Sequence, residues 1–210
     1  MMSFTETLQA KSPVSRELSM SDGLNSHRQS IDYEDIPDSQ LTLCDFSLFA
    51  RTSVKGHLAA TQLSASGYPL PSQINQSVCG TEGELILQLG PSEFWILNSS
   101  TCSQTAFNIT QSTGCYLQPS QASHAWFSLR GEQAAECMAK LCGVDLRSSS
   151  HPQGTIAQTS VARITTVVIR HPEEAEVFFL LCGQSSAEYL WRVLNDAMTE
   201  FGGIVSELTG

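Results

Sequence analysis

Two stretches of the chain, residues 46–67 and 125–143, share one pattern that decides the fold. The first reads FSLFARTSVKGHLAATQLSASG and the second reads AWFSLRGEQAAECMAKLCG. Each passes from a strand-like run through a glycine, Gly56 or Gly131, into a short segment with the apolar spacing of a helix. When the glycines are aligned, matching residues follow at equal offsets: Ala59 with Ala134, Ala60 with Ala135, and Leu63 with Met138. The pattern predicts that one strand–helix unit occurs twice in the chain.

Each copy is followed by two apolar runs with turn residues between them, which is typical of a β-hairpin. The first pair is ELILQLGPSEFWIL, residues 84–97, and the second is ARITTVVIRHPEEAEVFFLLC, residues 162–182. Together the units predict the α+β class, built from duplicated β-α-β-β units. Alternation along the strands predicts one inward face, formed by Leu85, Leu87, Leu89, Phe127, Leu129, Val167, Ile169, Phe179 and Leu181.

Besides the helical segment after Gly131, three helices are expected. The first lies between Gly56 and Gly67 and ends at Gly67; its inward residues are Leu58, Ala59, Leu63 and Ala65. A weak helix is expected over Cys102–Gln111. The last begins at a capping box of Ser185 and Glu188 and ends at Gly202-Gly203. Its helical stripe, interpreted as core packing, is Ala187, Leu190, Trp191, Leu194, Met198 and Phe201.

The composition changes near residue 40, and this change sets the predicted domain boundaries. Residues 1–40 are polar and lack a helical or strand period, so they are expected to form an extended or disordered arm. Residues 41–203 are the α+β body, with related units at about 41–120 and 121–203, and residues 204–210 are a tail. Because ordering each residue costs about 1–2 kcal/mol, order in the arm is expected to come from a partner.

Charge and cysteine usage narrow the class of protein. The net charge of −10 argues against a nucleic-acid partner or an anionic membrane surface. The first residues lack the pattern of a signal peptide, and no apolar run approaches the roughly 20 residues of a membrane span. Seven cysteines without CxxC pairs favour a reducing cytoplasm and no disulfide framework.

The motifs of common active sites are missing from this sequence. Its five histidines have no metal-ligand spacing, and Gly80–Gly83 lacks the lysine and hydroxyl residue of a phosphate loop. The pair Ser123-His124 is interpreted as turn residues ahead of a strand, and Glu173-Glu174 as a solvated loop. No catalytic, cofactor-binding or metal-binding residue is therefore expected in this chain.

Several segments, taken in order, resemble the gamma subunit of heterotetrameric sarcosine oxidase. They are LCDFSLFARTSVKG (43–56), ELILQLGPSEFWIL (84–97), SHAWFSLRGEQAAECMAKLCGVDLRSSSHPQGTIAQTSVARITTVVI (123–169) and SSAEYLWRVLNDAMTEFG (185–202). Ser12-Pro13 also resembles a short arm motif of that family. The chain departs from the family pattern at Phe94, which precedes Trp95, and at Gln184, where the family usually has arginine.

The resemblance implies a fold similar to the folate-binding part of the glycine-cleavage T-protein. It also implies a complex of four different subunits that oxidises sarcosine to glycine, with formaldehyde or methylene-tetrahydrofolate and hydrogen peroxide as products. In that family alpha binds NAD and tetrahydrofolate, beta carries FAD and shares FMN with alpha, and delta binds zinc. The large alpha subunit is the expected neighbour, and no cofactor is expected in this chain.

Two other functions remain open at this point. One is the equivalent subunit of a related secondary-amine dehydrogenase, such as an enzyme acting on N-methylglutamate. The other is a stand-alone protein that binds folate or transfers an aminomethyl group, which shares the fold but is usually longer and has a third domain.

Overall fold

The computed structural model describes residues 12–15, 28–30, 36–98, 107, 109 and 111–207. Its strands are β1 Arg28–Ser30, β2 Thr42–Asp45, β3 Arg51–Lys55, β4 Gln76–Cys79, β5 Leu85–Gly90, β6 Glu93–Leu97, β7 Tyr116–Pro119, β8 His124–Arg130, β9 Ile156–Val161, β10 Ile164–Arg170, β11 Val177–Gly183 and β12 Ile204–Glu207. Its α-helices are α1 Ala59–Ala65, α2 Ala134–Ala139 and α3 Ala187–Met198.

The strands form two sheets whose order repeats. The seven-stranded sheet runs β1-β12-β2-β8-β11-β10-β9, and the five-stranded sheet runs β4-β5-β6-β3-β7. Beginning at β9 and at β4, five strands correspond one to one: β9-β10-β11-β8-β2 with β4-β5-β6-β3-β7. All the pairings within these two sets are antiparallel. The predicted duplication is confirmed, and each unit contains two strands beyond the predicted β-α-β-β set: β4 and β7 in one unit, β9 and β2 in the other.

The aligned glycines have the same structural role in the two units. Gly56 and Gly131 both have positive φ, +122° and +131°, where a side chain is strained. A Cβ at Gly131 would lie 2.8 Å from the Gln40 carbonyl oxygen, and one at Gly56 would overlap the Gly114 carbonyl. Gln40 and Gly114 precede β2 and β7, which occupy equivalent places in the two sheets. Because each glycine has no side chain, a neighbouring segment of the same chain can lie against it at the junction between strand and helix.

The two sheets pack face to face, with helices outside them. The core between the sheets contains residues of both, including Leu87, Trp126 and Phe179. A second core joins the outer face of the seven-stranded sheet to α2 and α3. A third joins the outer face of the five-stranded sheet to α1 and to Ile109. These cores define four layers: helices, sheet, sheet and helix.

This layering corrects the expectation of a single inward face. Seven of the nine residues predicted to be inward are buried, while Leu89 and Val167 are only partly buried. Residues on the opposite face, such as Ile86 and Trp126, are fully buried as well. Both faces of the central strands are covered, so alternation alone identified about half of their buried side chains.

The helices agree with the sequence in position but differ at their ends. In α1, Ala59 and Leu63 are buried, whereas Leu58 is partly exposed and Ala65 is exposed. The predicted capping box is wrong: residues Gln184–Ser186 form a 3₁₀ turn, and no side chain caps the first turn of α3. Glu188 instead bonds Arg192 at 2.7 Å. Gly202, with φ +63°, ends the helical region as expected.

Cys102–Gln111, where a weak helix was expected, lies mostly outside the described residues. Phe107 and Ile109 are described, and both pack on the outer face of the five-stranded sheet. No helix in the described part of the chain is long and apolar enough to cross a membrane.

Both ends of the predicted body need correction. β12 pairs in parallel with β2 through Ile204 and Thr42, so residues 204–207 belong to the sheet and not to a separate tail. At the other end, β1 pairs in parallel with β12, and Val14 is fully buried in the helix-side core. The expectation that order in the arm comes from a partner is wrong for these residues; the rest of residues 1–35 lies outside the described part.

Candidate functional site

The face that the five-stranded sheet turns toward the other sheet changes from apolar to polar across its width. Directly paired residues share a face, and Trp95 pairs with Leu87 on one side and Ser53 on the other. Ser53 in turn pairs with Gln118 of the outermost strand β7. We call this region, in which polar side chains range from buried to exposed, the polar margin; it consists of Arg51, Ser53, Lys55, Glu93, Tyr116 and Gln118.

Arg51 is the buried centre of the polar margin, with only 3% of its surface exposed. Its guanidinium donates to the carbonyl oxygens of Ser47 and Phe49 at 3.1 and 3.0 Å. It also donates to Gln121 at 3.1 Å and to the His124 carbonyl. Burial lowers the pKa of Arg51 to about 10, and the nearby Asp45 charge opposes that shift. The side chain ties loop 46–50 to loop 120–124, so its role is structural.

Lys55 and Glu93 form the outer part of the polar margin. The Lys55 ammonium lies 2.9 Å from the Glu93 carboxylate, which also accepts a bond from the Trp95 indole at 3.2 Å. Burial alone would raise the pKa of the Glu93 carboxyl, but the bonds from Lys55 and Trp95 lower it overall. Such an exposed ion pair contributes little stability.

His124 and Ser123 lie beside the polar margin, and their geometry is that of a turn. Ser123 Oγ is 2.9 Å from His124 Nδ1 and also donates to the Ser120 carbonyl at 3.1 Å. The His124 ring meets Trp95 edge-on, at 4.8 Å between centroids. Burial lowers the pKa of His124, and the Arg51 and Lys55 charges add to that effect. The Ser123 hydroxyl donates to a backbone carbonyl. Among the described residues, no ion pair orients His124. Ser123 and His124 therefore lack the third member of a catalytic triad.

The acidic pair after His171 is tied into the turn rather than free in solvent. His171 Nδ1 accepts the backbone N–H groups of Glu173 and Glu174 at 3.3 and 3.0 Å. Glu174 also pairs with Arg130 at 3.5 Å. Burial lowers the pKa of His171, and the Glu174 charge opposes that change. The interpretation as a solvated loop is therefore correct only for Glu173, which is exposed.

Aromatic side chains occupy the centre of the space between the sheets. The Trp126 ring lies 5.0 Å from Phe46 and 5.2 Å from Phe179, and the Phe49 ring is 6.2 Å away. These separations are those of rings in contact. The centre of the described body is therefore packed with protein side chains.

The loop at residues 80–83 is closed by the carboxylate of the next residue, Glu84. Glu84 accepts the backbone N–H of Glu82 at 3.0 Å, and a Cβ at Gly80 would meet the Glu84 side chain. A carboxylate already occupies the position where a phosphate loop would present N–H groups to an anion. These residues do not fit a nucleotide phosphate.

Cysteines and acidic residues of the described body do not assemble a metal centre or a nucleophile. No group of three or more His, Cys, Asp or Glu side chains that could hold a metal is found among the described residues. Burial raises the pKa of Cys44 and Cys182 to about 12, and of Cys79 and Cys137 to about 11. Thiols with such values are protonated and unreactive at neutral pH.

The order of strands and the two repeated units define an α+β protein with the T-protein fold. A solved structure of the glycine cleavage system aminomethyltransferase T from Bartonella henselae matches 81% of this chain with a TM-score of 0.56 and 17% identity. The match covers 48% of that protein, so this chain spans about half of its length.

Two further matches are more specific. The chain is 29% identical over 149 residues to sarcosine oxidase subunit gamma of Corynebacterium sp. (strain U-96), covering 70% of each. A chain in the structure of heterotetrameric sarcosine oxidase from Corynebacterium sp. U-96, in complex with pyrrole 2-carboxylate, matches with a TM-score of 0.71 and 21% identity. That match covers 92% of this chain and 97% of the other. No family model matches. The resemblance to the gamma subunit is confirmed.

The sequence interpretation missed the polar margin, although a signal for it exists. Arg51, Ser53 and Lys55 alternate with Thr52 and Val54, which is a strand with one polar face. That face would be expected to point to solvent, whereas Arg51 and Ser53 are buried. Only the pairing of β3 between β6 and β7 reveals that these side chains border the inter-sheet core.

Proposed function

We propose that this chain is the non-catalytic gamma-type subunit of a heterotetrameric oxidoreductase complex that oxidatively demethylates sarcosine to glycine. The observation that carries this proposal is the coverage of the structural match, in which nearly all of this chain aligns with nearly all of one chain of heterotetrameric sarcosine oxidase. The sequence match to the gamma subunit supports it independently.

The chemistry of the described residues is consistent with a supporting role. The inter-sheet core is filled largely by aromatic rings, and the loop at 80–83 is closed by Glu84. Burial keeps the thiols of Cys44, Cys79, Cys137 and Cys182 protonated by raising their pKa. We therefore assign FAD, FMN, NAD, zinc and tetrahydrofolate to other subunits of the complex, and within this chain we assign no catalytic residue. The alpha-type large subunit is the proposed direct neighbour, with beta and delta subunits completing the assembly.

The location of the complex is proposed to be the cytoplasm. The six cysteines of the described residues are all free thiols, and five of them are buried. Protein thiols stay reduced in a reducing compartment. The acidic net charge of −10 disfavours nucleic-acid and anionic membrane partners.

Each of the alternative functions makes a different demand on the chain. The match covers 48% of the T-protein chain but 97% of the sarcosine oxidase chain, and the fuller match favours the subunit over a stand-alone T-type protein. A subunit acting on N-methylglutamate would share this fold and differ in the catalytic subunits. Sarcosine is favoured because the sequence relative and the solved structure with the greater coverage are both sarcosine oxidases.

The purified chain alone is expected to show no flavin absorbance near 450 nm and no sarcosine-dependent hydrogen peroxide. The physical reason is that its described interior is packed and offers no phosphate-binding loop. The measurement is an absorbance spectrum and a peroxide assay, with the assembled complex as the positive control. Stoichiometric FAD, FMN or NAD on the isolated, folded chain would overturn the assignment of these cofactors to partner subunits.

A further inference from the structure

Residues near the N-terminus supply part of the core of this chain. Val14 is fully buried, within the helix-side core that also contains Leu43 of β2 and Leu41, which precedes that strand. Burying a side chain of this size stabilises a fold substantially. Residues 12–15 are therefore held by the body itself.

A polar contact fixes the same turn. The Ser12 hydroxyl donates to the Asp45 carboxylate at the end of β2, and the Val14 N–H donates to Ser12 Oγ at 3.2 Å. The other Asp45 oxygen accepts the Ser47 N–H at 2.8 Å. Burial raises the pKa of Asp45, and the bonds from Ser12 and Ser47 oppose that shift. A half-buried carboxylate thus receives two donors, one of them from the N-terminal turn.

Further along, residues 28–30 form the strand that ends the sheet. β1 pairs in parallel with β12 in the register Arg28 with Val205 and Ser30 with Glu207. β12 in turn pairs in parallel with β2. Without β1, the four-residue strand β12 would present its unpaired backbone groups as a template for another strand. β1 shortens the exposed edge to three residues, and very short edge strands resist such pairing.

We propose that residues 12–15 together with residues 28–30 form an intramolecular strap that holds the C-terminal strand β12 in the sheet and prevents strand addition by a second copy. Val14 anchors the strap in the helix-side core, the bond from Ser12 to Asp45 fixes its turn, and β1 covers the edge of β12. The strap acts within the free subunit, so it does not depend on the proposed partner complex.

The test is hydrogen exchange on the full-length chain, with Val14→Ala, Ser12→Ala and the matched control Ser15→Ala. Ser15 lies in the same turn but its side chain is exposed. Val14→Ala is expected to speed exchange about tenfold in β12, as for the loss of two buried methyl groups. Ser12→Ala is expected to speed it a few-fold, and Ser15→Ala to leave it unchanged. β10 and β11, at the other side of the sheet, serve as the internal reference.

Self-association gives the second readout. Val14→Asp places a charge in the core, so it is expected to release the strap and to shift the chain from monomer toward dimers in sedimentation velocity. If β12 exchanges at the wild-type rate in Val14→Ala, the strap is refuted. Equal acceleration in β10, β11 and β12 would refute it as well, because Val14 would then be an ordinary core residue without a local role.

Discussion

Trp126→Ala is expected to lower the free energy of unfolding by about 4 kcal/mol, the range for deleting a fully buried aromatic side chain. Trp126 is 0% exposed and lies on β8 in the middle of the seven-stranded sheet. Its ring contacts Phe46 and Phe179, so its loss leaves a cavity between the two sheets. Urea denaturation followed by circular dichroism measures the change.

Two companion variants separate cavity formation from other effects. The Trp126 Nε1 has no hydrogen-bond partner among the described residues. Trp126→Phe therefore loses no hydrogen bond and is expected to cost much less than the alanine variant. Tyr189→Ala, at a side chain that is 52% exposed on α3, is expected to change stability by less than about 0.5 kcal/mol. If Trp126→Ala were as stable as Tyr189→Ala, the packed inter-sheet core would be contradicted.

Arg51→Ala is expected to cost on the order of 3 kcal/mol, because buried backbone carbonyls lose their donor. The guanidinium serves the carbonyls of Ser47, Phe49, Gln121 and His124. Its loss should loosen loops 46–50 and 120–124 together, and faster hydrogen exchange in both loops is the specific readout. Chemical denaturation gives the global value.

The matched control is Arg192→Ala. Arg192 carries the same side chain and makes an ion pair with Glu188, but it is 58% exposed. Exposed pairs at this helical spacing contribute about 0.3–0.5 kcal/mol, so the variant should be close to wild type. A small effect of Arg51→Ala, or faster exchange in only one of the two loops, would show that Arg51 does not tie them together.

The repeated units were predictable because their determinants are local. Gly56 and Gly131 must adopt positive φ, and the apolar positions after them form one face of a short helix. The turn of the β5–β6 hairpin carries Gly90, Pro91 and Ser92, which are typical turn residues. Local backbone preferences thus fixed the order of strand, helix and hairpin in each unit.

The hairpin of β9 and β10 was missed because its turn lacks the usual residues. Ala162 and Arg163 form the two-residue connection, and both have positive φ, 49° and 69°. Such turns favour asparagine and glycine, so the residues 156–170 gave no turn signal. The paired strands on either side hold these two residues in that conformation.

The contacts of the chain ends could not be predicted because they depend on distant segments. β12 lies between β1 and β2, which are more than 150 residues away in sequence. Val14 stands in a polar stretch, and nothing in its local pattern indicates burial. The polar margin has the same origin, since Arg51 and Ser53 are buried against the core only through the pairing of β3 with β6 and β7.

The proposed function is tested most directly by native mass spectrometry. The affinity-tagged chain is purified for this from the organism whose genome encodes it. The proposal predicts a complex with this chain and three different partner subunits, flavin on the partners, and hydrogen peroxide release when sarcosine is added. The untagged strain is the control for adventitious binding. A chain that elutes alone or only with copies of itself would contradict the proposal, as would a complex that oxidises N-methylglutamate but not sarcosine.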